Sequence, residues 1–209
     1  MRGLLACLGL LLALGTGAQA APPVAGRDYQ VLEPPRPTAR GHIEVLEFFY
    51  YGCPVCYEAQ PHLTRWKQGA APDVQLRRVP AVNNEGWEPL ARAYFALESA
   101  GALERLHWPL YDNQHFDDRR LDEEANLLAW VAANGVEAER FKAALHSVDT
   151  RQKVEFARRL GGMHGVRAVP TLVVGGRYAT SARMAGGVKE LTAVLEHLVD
   201  RVRQERAAK

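Results

Sequence analysis

The sequence predicts an α/β fold that carries an all-helical insertion, and three observations lead to this prediction. Runs of β-branched and aromatic residues typical of strands occur before residue 83 and again after residue 170. The long stretch between them has apolar residues at helical spacing. A Gly175-Gly176 pair then separates two strand-like runs, as in a hairpin. The order strand, helix, strand, helical block, hairpin, helix is that of an α/β unit interrupted by helices.

Residues 1–20 have the three parts of a secretory signal peptide. Arg2 carries the single charge, residues 4–14 are apolar, and a small-residue exit ends at Ala20. The apolar run is shorter than the roughly 20 residues that span a bilayer, which disfavours a retained membrane helix. A lipoprotein leader would lipidate Cys7, but too little apolar chain precedes that residue. We expect cleavage after Ala20 and an exported mature protein.

The composition is that of an ordinary globular protein. Of the 209 residues, 47% are hydrophobic and 24% are charged, which is enough apolar material for a core. The 26 Lys and Arg residues nearly balance the 24 Asp and Glu residues, and no stretch combines basic with aromatic residues. Composition therefore gives no sign of nucleic-acid binding. No segment after the leader is apolar enough to cross a membrane.

The elements predicted before residue 83 alternate between strand and helix. Residues 21–41 form an extension rich in Pro, Gly and Arg. Pro54 fits the first position of a helix because its missing N–H costs nothing there, whereas Pro61 should kink the same helix. The predicted elements are an edge strand over 29–32, a buried strand over 43–50, a helix over 53–68 and a strand over 74–79.

Residues 83–164 are predicted to be the helical insertion. Asn134-Gly135 and Gly161-Gly162 are its expected helix stops. The two halves of the α/β domain are then 42–82 and 165–205. The helices predicted in the insertion span 89–97, 102–110, 121–133, 138–145 and 154–160, and they are followed by strands over 171–174 and 177–180 and a helix over 188–203.

Cys53 and Cys56 are the only cysteines left once the leader is removed. An exported chain usually pairs its cysteines, but a bridge closing two intervening residues would stabilise little, so the spacing suggests chemistry. Cys53 would lie at a helix N-terminus, where free N–H groups and the helix dipole favour a thiolate. Cys56, one turn further on, would be the resolving thiol. A zinc site would need two more ligands, and no second close ligand pair is present.

Together these features resemble the thioredoxin superfamily, and within it the DsbA family of periplasmic disulfide oxidases. The resemblance covers about residues 26–205, and it depends on the following segments: Val45-Leu46-Glu47-Phe48-Phe49, Cys53-Pro54-Val55-Cys56 with Tyr57 after it, the inserted helices, and Val169-Pro170. It implies a thioredoxin fold with an all-helical insertion. It also implies an oxidoreductase that donates its disulfide to folding exported proteins through a mixed disulfide, in the periplasm.

The resemblance further implies partners and a compartment. Reduced exported proteins would be the substrates, and a DsbB-like membrane quinone reductase would reoxidise the cysteine pair. Disulfide exchange of this kind needs no metal or organic cofactor. We expect a monomer.

Two further parts of the site follow from the resemblance. Pro170 would be a cis proline lying against the disulfide, and the backbone of Val169 would pair with an extended substrate; alternatively, Pro170 only begins a strand. Glu47 would be the family's buried acid, which moves a proton to or from Cys56; alternatively, it faces solvent at a strand edge. Its basic partner would be Arg78, although Arg77 could equally take that place. The three remaining tryptophans of the insertion, Trp87, Trp108 and Trp130, are expected to serve packing.

Val55 is a departure from the family pattern. The best-known members have His between Pro and the second Cys, and Val can neither donate a hydrogen bond nor carry charge. With Pro54 and Val55 tuning the pair, we expect a Cys53 pKa between about 3.5 and about 7, the values of DsbA and thioredoxin. The reduction potential should be correspondingly intermediate.

Two other functions remain open from the sequence. A disulfide isomerase or reductase could use the same fold, although residues 21–41 are too short for the dimerisation domain that such isomerases usually carry. A binding or chaperone module could hold a purely structural bridge. Equilibrium with a glutathione buffer separates the latter from an exchange catalyst.

Overall fold

The computed structural model describes residues 21–38, 41–117 and 119–208. The expected leader, with Cys7 and the cleavage point after Ala20, lies outside the described residues. Within those described ranges, no helix is both long and apolar enough to cross a membrane.

A five-stranded mixed sheet forms the centre of the molecule, with the strand order β1-β5-β4-β2-β3. The central strand β2 pairs in parallel with β3 and antiparallel with β4, and β1 pairs with β5 at the edge. All seven residues of β2 are buried. The strands are β1 (Gln30–Val31), β2 (Ile43–Phe49), β3 (Val74–Pro80), β4 (Thr171–Val174) and β5 (Tyr178–Ser181).

Helices cover both faces of this sheet and form a second cluster beyond its end. The helices are α1 (Pro54–Gly69), a 3-10 turn (Glu85–Trp87), α2 (Glu88–Ser99), α3 (Leu103–Phe116), α4 (Glu124–Ala133), α5 (Ala138–Leu145), α6 (Val148–Met163), α7 (Ala182–Ala185) and α8 (Val188–Ala207). Helices α1 and α8 pack on one face of the sheet, and α6 packs on the other. Helices α2 to α5 share a core that also contains Phe49, Tyr51 and Cys56. The inserted helices therefore meet the sheet at the cysteine motif.

The predicted order of elements is confirmed, and several boundaries are corrected. Helix α4 begins at Glu124 rather than at residue 121. Helix α6 begins six residues before its predicted start, because Ser147 caps it by accepting a hydrogen bond from the Thr150 N–H. The sequence did not predict α7 or the 3-10 turn. Helix α1 runs without a break through Pro61.

The prediction that Gly161-Gly162 would end a helix is wrong. Both glycines lie inside α6, which continues to Met163. His164 caps the helix end, and the next residue, Gly165, has a φ of 65°, in the left-handed region that favours glycine. Amide groups beyond the helix end close the last turn, since Val166 N donates to the Gly161 carbonyl at 2.9 Å.

The Gly175-Gly176 hairpin is confirmed, and its glycines are needed for two reasons. Both have positive φ, 56° and 63°, and Arg177 N closes the turn on the Val174 carbonyl. A Cβ at Gly176 would also lie 2.3 Å from the Arg36 carbonyl oxygen. The N-terminal extension can therefore pass over the turn only because no side chain is present. Arg177 belongs to the turn rather than to the strand.

Candidate active site

Cys53 lies where the end of β2 turns into α1. It is the N-cap residue of α1, with extended backbone, and its Sγ accepts a hydrogen bond from the Cys56 N–H at 3.2 Å. Pro54 is the first helical residue, as predicted. Both thiols are free, so the described pair is in its reduced form. The sulfur of Cys53 therefore occupies the anion site at a helix N-terminus.

The two thiols have opposite acidities although they are one helical turn apart. A hydrogen bond with the Cys56 side chain lowers the pKa of Cys53 to about 7, and the N–H groups of Cys56 and Val55 add to this against the opposing effect of burial. Cys56 is 0% exposed, and its burial, followed by its hydrogen bond to Cys53, raises its pKa. The Cys53 value lies at the upper limit of the range expected from the sequence.

The segment before β4 lies beside the reactive thiol. The Val169–Pro170 peptide bond is cis, as the resemblance implied. The Cys53 thiol lies 3.5 Å from the Val169 carbonyl oxygen, toward which its S–H can donate. Residues 116 positions apart in the chain thus meet at one sulfur atom. Pro170 directly precedes β4, but the cis bond and the Val169 contact with Cys53 show that it does not only begin a strand.

Glu47 is fully buried, which makes the solvent-facing alternative wrong. Its Oε1 accepts a hydrogen bond from Gln60 Nε2 at 2.5 Å, and its Oε2 lies 3.3 Å from Arg78 Nε. Arg77 pairs instead with Glu44 at 3.2 Å, because neighbouring residues of a strand point to opposite faces. The partner of Glu47 is therefore Arg78. Arg78 Nε makes no hydrogen bond of good geometry, so this contact is chiefly electrostatic.

The Glu47 carboxyl and the Cys56 thiol are both buried, and α1 connects them through Gln60. Gln60, which binds Glu47, follows Cys56 by four residues and so lies on the same face of α1. Burial raises the pKa of Glu47 from its ordinary value, against the lowering effects of Arg78 and Gln60. The Glu47 charge in turn contributes to the raised pKa of Cys56.

Aromatic side chains from the insertion flank the cysteine motif, and two of them were expected only to pack. Trp87 stacks on Tyr50, with ring centroids 4.3 Å apart and planes within 2°. Trp108 stacks on Tyr57 at 4.9 Å and is 38% exposed. Trp130, by contrast, is buried in the core of the insertion as expected.

The motif also has an apolar, solvent-facing rim. Val55 is 41% exposed and Phe116 is 70% exposed, and Phe116 packs edge-on against Tyr57. Gly52 permits the close approach of Tyr50, because a Cβ there would lie 2.5 Å from the Tyr50 ring. The apolar surface around Cys53 therefore comes from both the sheet domain and the insertion.

Sequence reasoning missed two histidines that contact the turn before Cys53. His107 Nδ1 lies 2.7 Å from the Tyr51 hydroxyl, and His115 Nε2 lies 2.8 Å from the Tyr51 carbonyl oxygen. Both lie on α3. Their eight-residue spacing, which places them on one helix face, was the available signal. In the part of the chain that the structure describes, no group of three or more His, Cys, Asp or Glu side chains could hold a metal ion.

Comparison with known proteins agrees with this arrangement. The family model of the DSBA-like thioredoxin domain matches residues 70–199. The thiol:disulfide interchange protein DsbA of Azotobacter vinelandii is 33% identical over 95% of this chain and 93% of its own length. The DsbA of Bordetella pertussis is 36% identical over 84% of this chain and 82% of its own length.

Solved structures show the same likeness. The crystal structure of Pseudomonas aeruginosa DsbA superposes with a TM-score of 0.84, at 31% identity, and the match covers 89% of this chain and 97% of that one. The DsbA of Xylella fastidiosa gives a TM-score of 0.80 at 31% identity, with 87% and 98% of the two chains covered.

The fold and the paired thiols define a thiol–disulfide oxidoreductase with a thioredoxin fold and an all-helical insertion. Since the relatives match along nearly the whole chain, the class can be narrowed further. The chain belongs to the DsbA family. It is an enzyme, and it acts as a protein disulfide oxidant.

Proposed function

We propose that the Cys53–Cys56 disulfide is the group that this oxidant donates, with Cys53 as the sulfur that substrates attack and Cys56 as the resolving thiol. The observation that carries the assignment is the difference in burial. Cys53 is partly exposed, with a pKa lowered to about 7, whereas Cys56 is fully buried, with a raised pKa. A substrate sulfur can reach only the first, and the sulfur with the more stable thiolate is the better leaving group.

The exchange proceeds in two displacements. A substrate thiolate attacks Cys53 Sγ, a mixed disulfide forms, and the Cys53–Cys56 bond breaks with its electron pair on Cys56, which takes up a proton. A second thiolate of the substrate then attacks the substrate sulfur of the mixed disulfide. The substrate disulfide forms, and Cys53 leaves as a thiolate that the helix N-terminus stabilises. Two electrons have passed from the substrate to the cysteine pair.

Glu47 is proposed to supply the proton that Cys56 takes up. Burial raises the pKa of Glu47, which favours proton transfer from this carboxyl, and a buried thiolate on Cys56 would be costly unless it took up a proton. Arg78 and Gln60 hold the carboxyl by the ion pair and hydrogen bond described above. We assign the same role to Glu47 in reverse when the pair is reoxidised.

Val169 and Pro170 are proposed to bind the substrate, and Pro54 and Val55 to tune the pair. The Val169 carbonyl lies beside Cys53 Sγ, so an extended peptide bound there would bring its own cysteine to that sulfur. Pro54 begins the helix whose N–H groups face Cys53. Val55 contributes its backbone N–H to the lowered pKa of Cys53, while its side chain offers no charge or donor.

The surroundings of the reaction complete the proposal. Cleavage after Ala20 would release the protein into the periplasm as a monomer, where reduced exported proteins are the substrates. A DsbB-like membrane quinone reductase would reoxidise the pair. Residues 42–82 and 165–205 would form the thioredoxin-fold halves, with the extension over 21–41 and the insertion over 83–164.

Substitution of each cysteine tests the assignment. Cys53→Ser should reduce oxidation of a reduced model protein to the uncatalysed rate, because no sulfur remains for the substrate to attack. Cys56→Ser, when supplied with a substrate disulfide, should accumulate mixed disulfides, because Cys53 attacks one sulfur, the other leaves as a thiolate, and no resolving thiol releases the adduct. Mass spectrometry of the trapped adducts identifies the linked cysteine. N-terminal sequencing of the wild-type protein from the same cells shows where its leader is cleaved.

Alkylation of the reduced wild-type protein is the control that needs no variant. Iodoacetamide at pH 7 should label Cys53 and leave Cys56 unmodified. Adducts on Cys56, or faster labelling of Cys56, would reverse the two roles. A disulfide that stays oxidised in every glutathione buffer would instead indicate a structural bridge.

A further inference from the structure

One face of α3 is directed at the residue two positions before Cys53. His107, Tyr111 and His115 follow one another at intervals of four residues and therefore share a face of that helix. The Tyr51 hydroxyl lies 2.7 Å from His107 Nδ1. The ring centroids of Tyr51 and Tyr111 are 4.7 Å apart, and the Tyr51 carbonyl lies 2.8 Å from His115 Nε2. Both ends of Tyr51 are thus held by the insertion.

The contact with the carbonyl fixes the chemical form of His115. A carbonyl oxygen can only accept a hydrogen bond, so His115 Nε2 must carry the hydrogen. In the neutral ring, Nδ1 is then without one. His115 is partly buried, and the backbone groups that it orients lead directly into the turn in which Cys53 N donates to the Tyr50 carbonyl.

His115 also contacts the residue on the other side of the motif. Its ring packs against that of Tyr57, with centroids 5.2 Å apart, and Tyr57 directly follows Cys56. The Tyr57 hydroxyl donates to Asp112 Oδ1 at 2.8 Å, on the same helix α3. His115 therefore bridges the residues that precede and follow the cysteine pair.

We propose that His115 is a positioning residue for disulfide exchange, which holds the Tyr51 carbonyl so that the start of α1 keeps its N–H groups directed at Cys53 Sγ. It does not touch the sulfur; it acts through the Tyr51-Gly52 turn and through Tyr57. The inference rests on the proposed role of Cys53. The inserted helices then control part of the redox equilibrium. The Val55 side chain cannot do so by charge or hydrogen bonding, because it has neither a charge nor a donor.

The test compares His115→Gln, which keeps an N–H donor of similar reach, with His115→Leu, which removes it. The measured quantities are the Cys53 pKa, from thiolate absorbance, and the equilibrium constant with glutathione. His115→Leu should raise the Cys53 pKa and make the protein a weaker oxidant by about three- to tenfold, the effect of one ordinary hydrogen bond. His115→Gln should remain within about twofold of the wild-type protein.

A matched control separates positioning from simple stability. His146 lies in the same insertion and pairs with Glu124 at the surface, so His146→Leu should leave the glutathione constant unchanged. A contact that only stabilises the fold supports the oxidised and reduced forms equally and does not move that constant. Equal constants for wild type, His115→Gln and His115→Leu would overturn the proposal.

A measurement on the wild-type protein covers the case in which His115→Leu does not fold. Nitrogen-15 NMR should show His115 as the Nε2–H tautomer at pH 8 in both redox forms, and the Nδ1–H tautomer would overturn the proposal. This result does not depend on which cysteine reacts first. Preferential alkylation of Cys56 would refute the proposed function and leave the tautomer unaffected, so the two failures are distinguishable.

Discussion

Burial raises the pKa of Glu47, which its position in a strand alone would not do. A raised pKa brings a carboxyl closer to the operating pH, where it can exchange a proton with a neighbouring thiolate more readily than an ordinary carboxyl. Glu47→Gln keeps the shape and one acceptor oxygen but cannot transfer a proton. We expect this variant to slow turnover at pH 7 by about tenfold to a hundredfold, measured as the rate of disulfide transfer to a reduced peptide.

The same substitution should change how stability depends on pH. Because the folded pKa of Glu47 is raised above its ordinary value of 4.5, the folded state binds more protons than the unfolded state above that pH. Its contribution to stability is therefore present at low pH and is lost as pH rises. In urea unfolding, the free energy of unfolding of Glu47→Gln should increase relative to that of the wild-type protein as pH rises from 4 to 8. A constant difference, together with unchanged turnover across this range, would refute a titrating role.

At the scale of single residues, the sequence could predict the position of Cys53 at a helix start but not the partner of Glu47. A Cys pair at the start of a helix has a local chemical meaning, and Cys53 is the N-cap as expected. The burial of Glu47 depends on α1 covering that face of β2, and the choice between Arg77 and Arg78 depends on the register of β3. Neither is visible from residues close in the chain.

At the scale of elements, α6 shows what local signals leave out. Its first six residues have little apolar periodicity, and two glycines near its end suggested a stop. The helix is held instead by tertiary packing, since Ala157 and Leu160 belong to the core under the sheet, and packing routinely overrides propensity. By contrast, Asn134-Gly135 does end α4, where Gly135 has a φ of 73°.

Alanine substitutions at the end of α6 test this description. Gly162 is exposed and helical, and an added Cβ meets nothing within 4 Å. Gly162→Ala should therefore raise the free energy of unfolding by about 0.5 kcal/mol, because alanine is the better helix former. The matched control is Gly165→Ala, which should lower it by about 1 kcal/mol because Gly165 has a positive φ. Urea denaturation measures both, and equal effects would contradict the observed helix end.

At the scale of the whole molecule, the two thiols link stability to redox state and pH. The folded pKa of Cys53 is lowered from 9.0 to about 7, so the folded reduced protein binds fewer protons than the unfolded chain between pH 7 and 9. The reduced form should therefore gain stability as pH rises through this window. Above pH 9 the raised pKa of Cys56 acts in the opposite direction, and stability should fall again.

The oxidised protein is the reference for this prediction, because it shares every titrating group except the two thiols. The unfolding free energy of the reduced form should rise, relative to that of the oxidised form, by roughly 1 kcal/mol from pH 7 to 9. This is less than the full pKa difference would give, since Cys53 is partly exposed and solvent screens it. A difference that stays flat over this range would show that Cys53 ionises equally in the folded and unfolded chains.

The contacts around Tyr51 and Cys53 also have a consequence for the order in which a growing chain acquires its reactivity. The histidine that meets the Tyr51 hydroxyl is synthesised 56 residues after it, and the carbonyl beside Cys53 Sγ follows that cysteine by 116 residues. The cysteine motif is therefore synthesised well before the residues that surround it in the folded protein. A partly synthesised chain that stops before Val169 carries both thiols without the carbonyl that lies beside Cys53 Sγ in the folded protein.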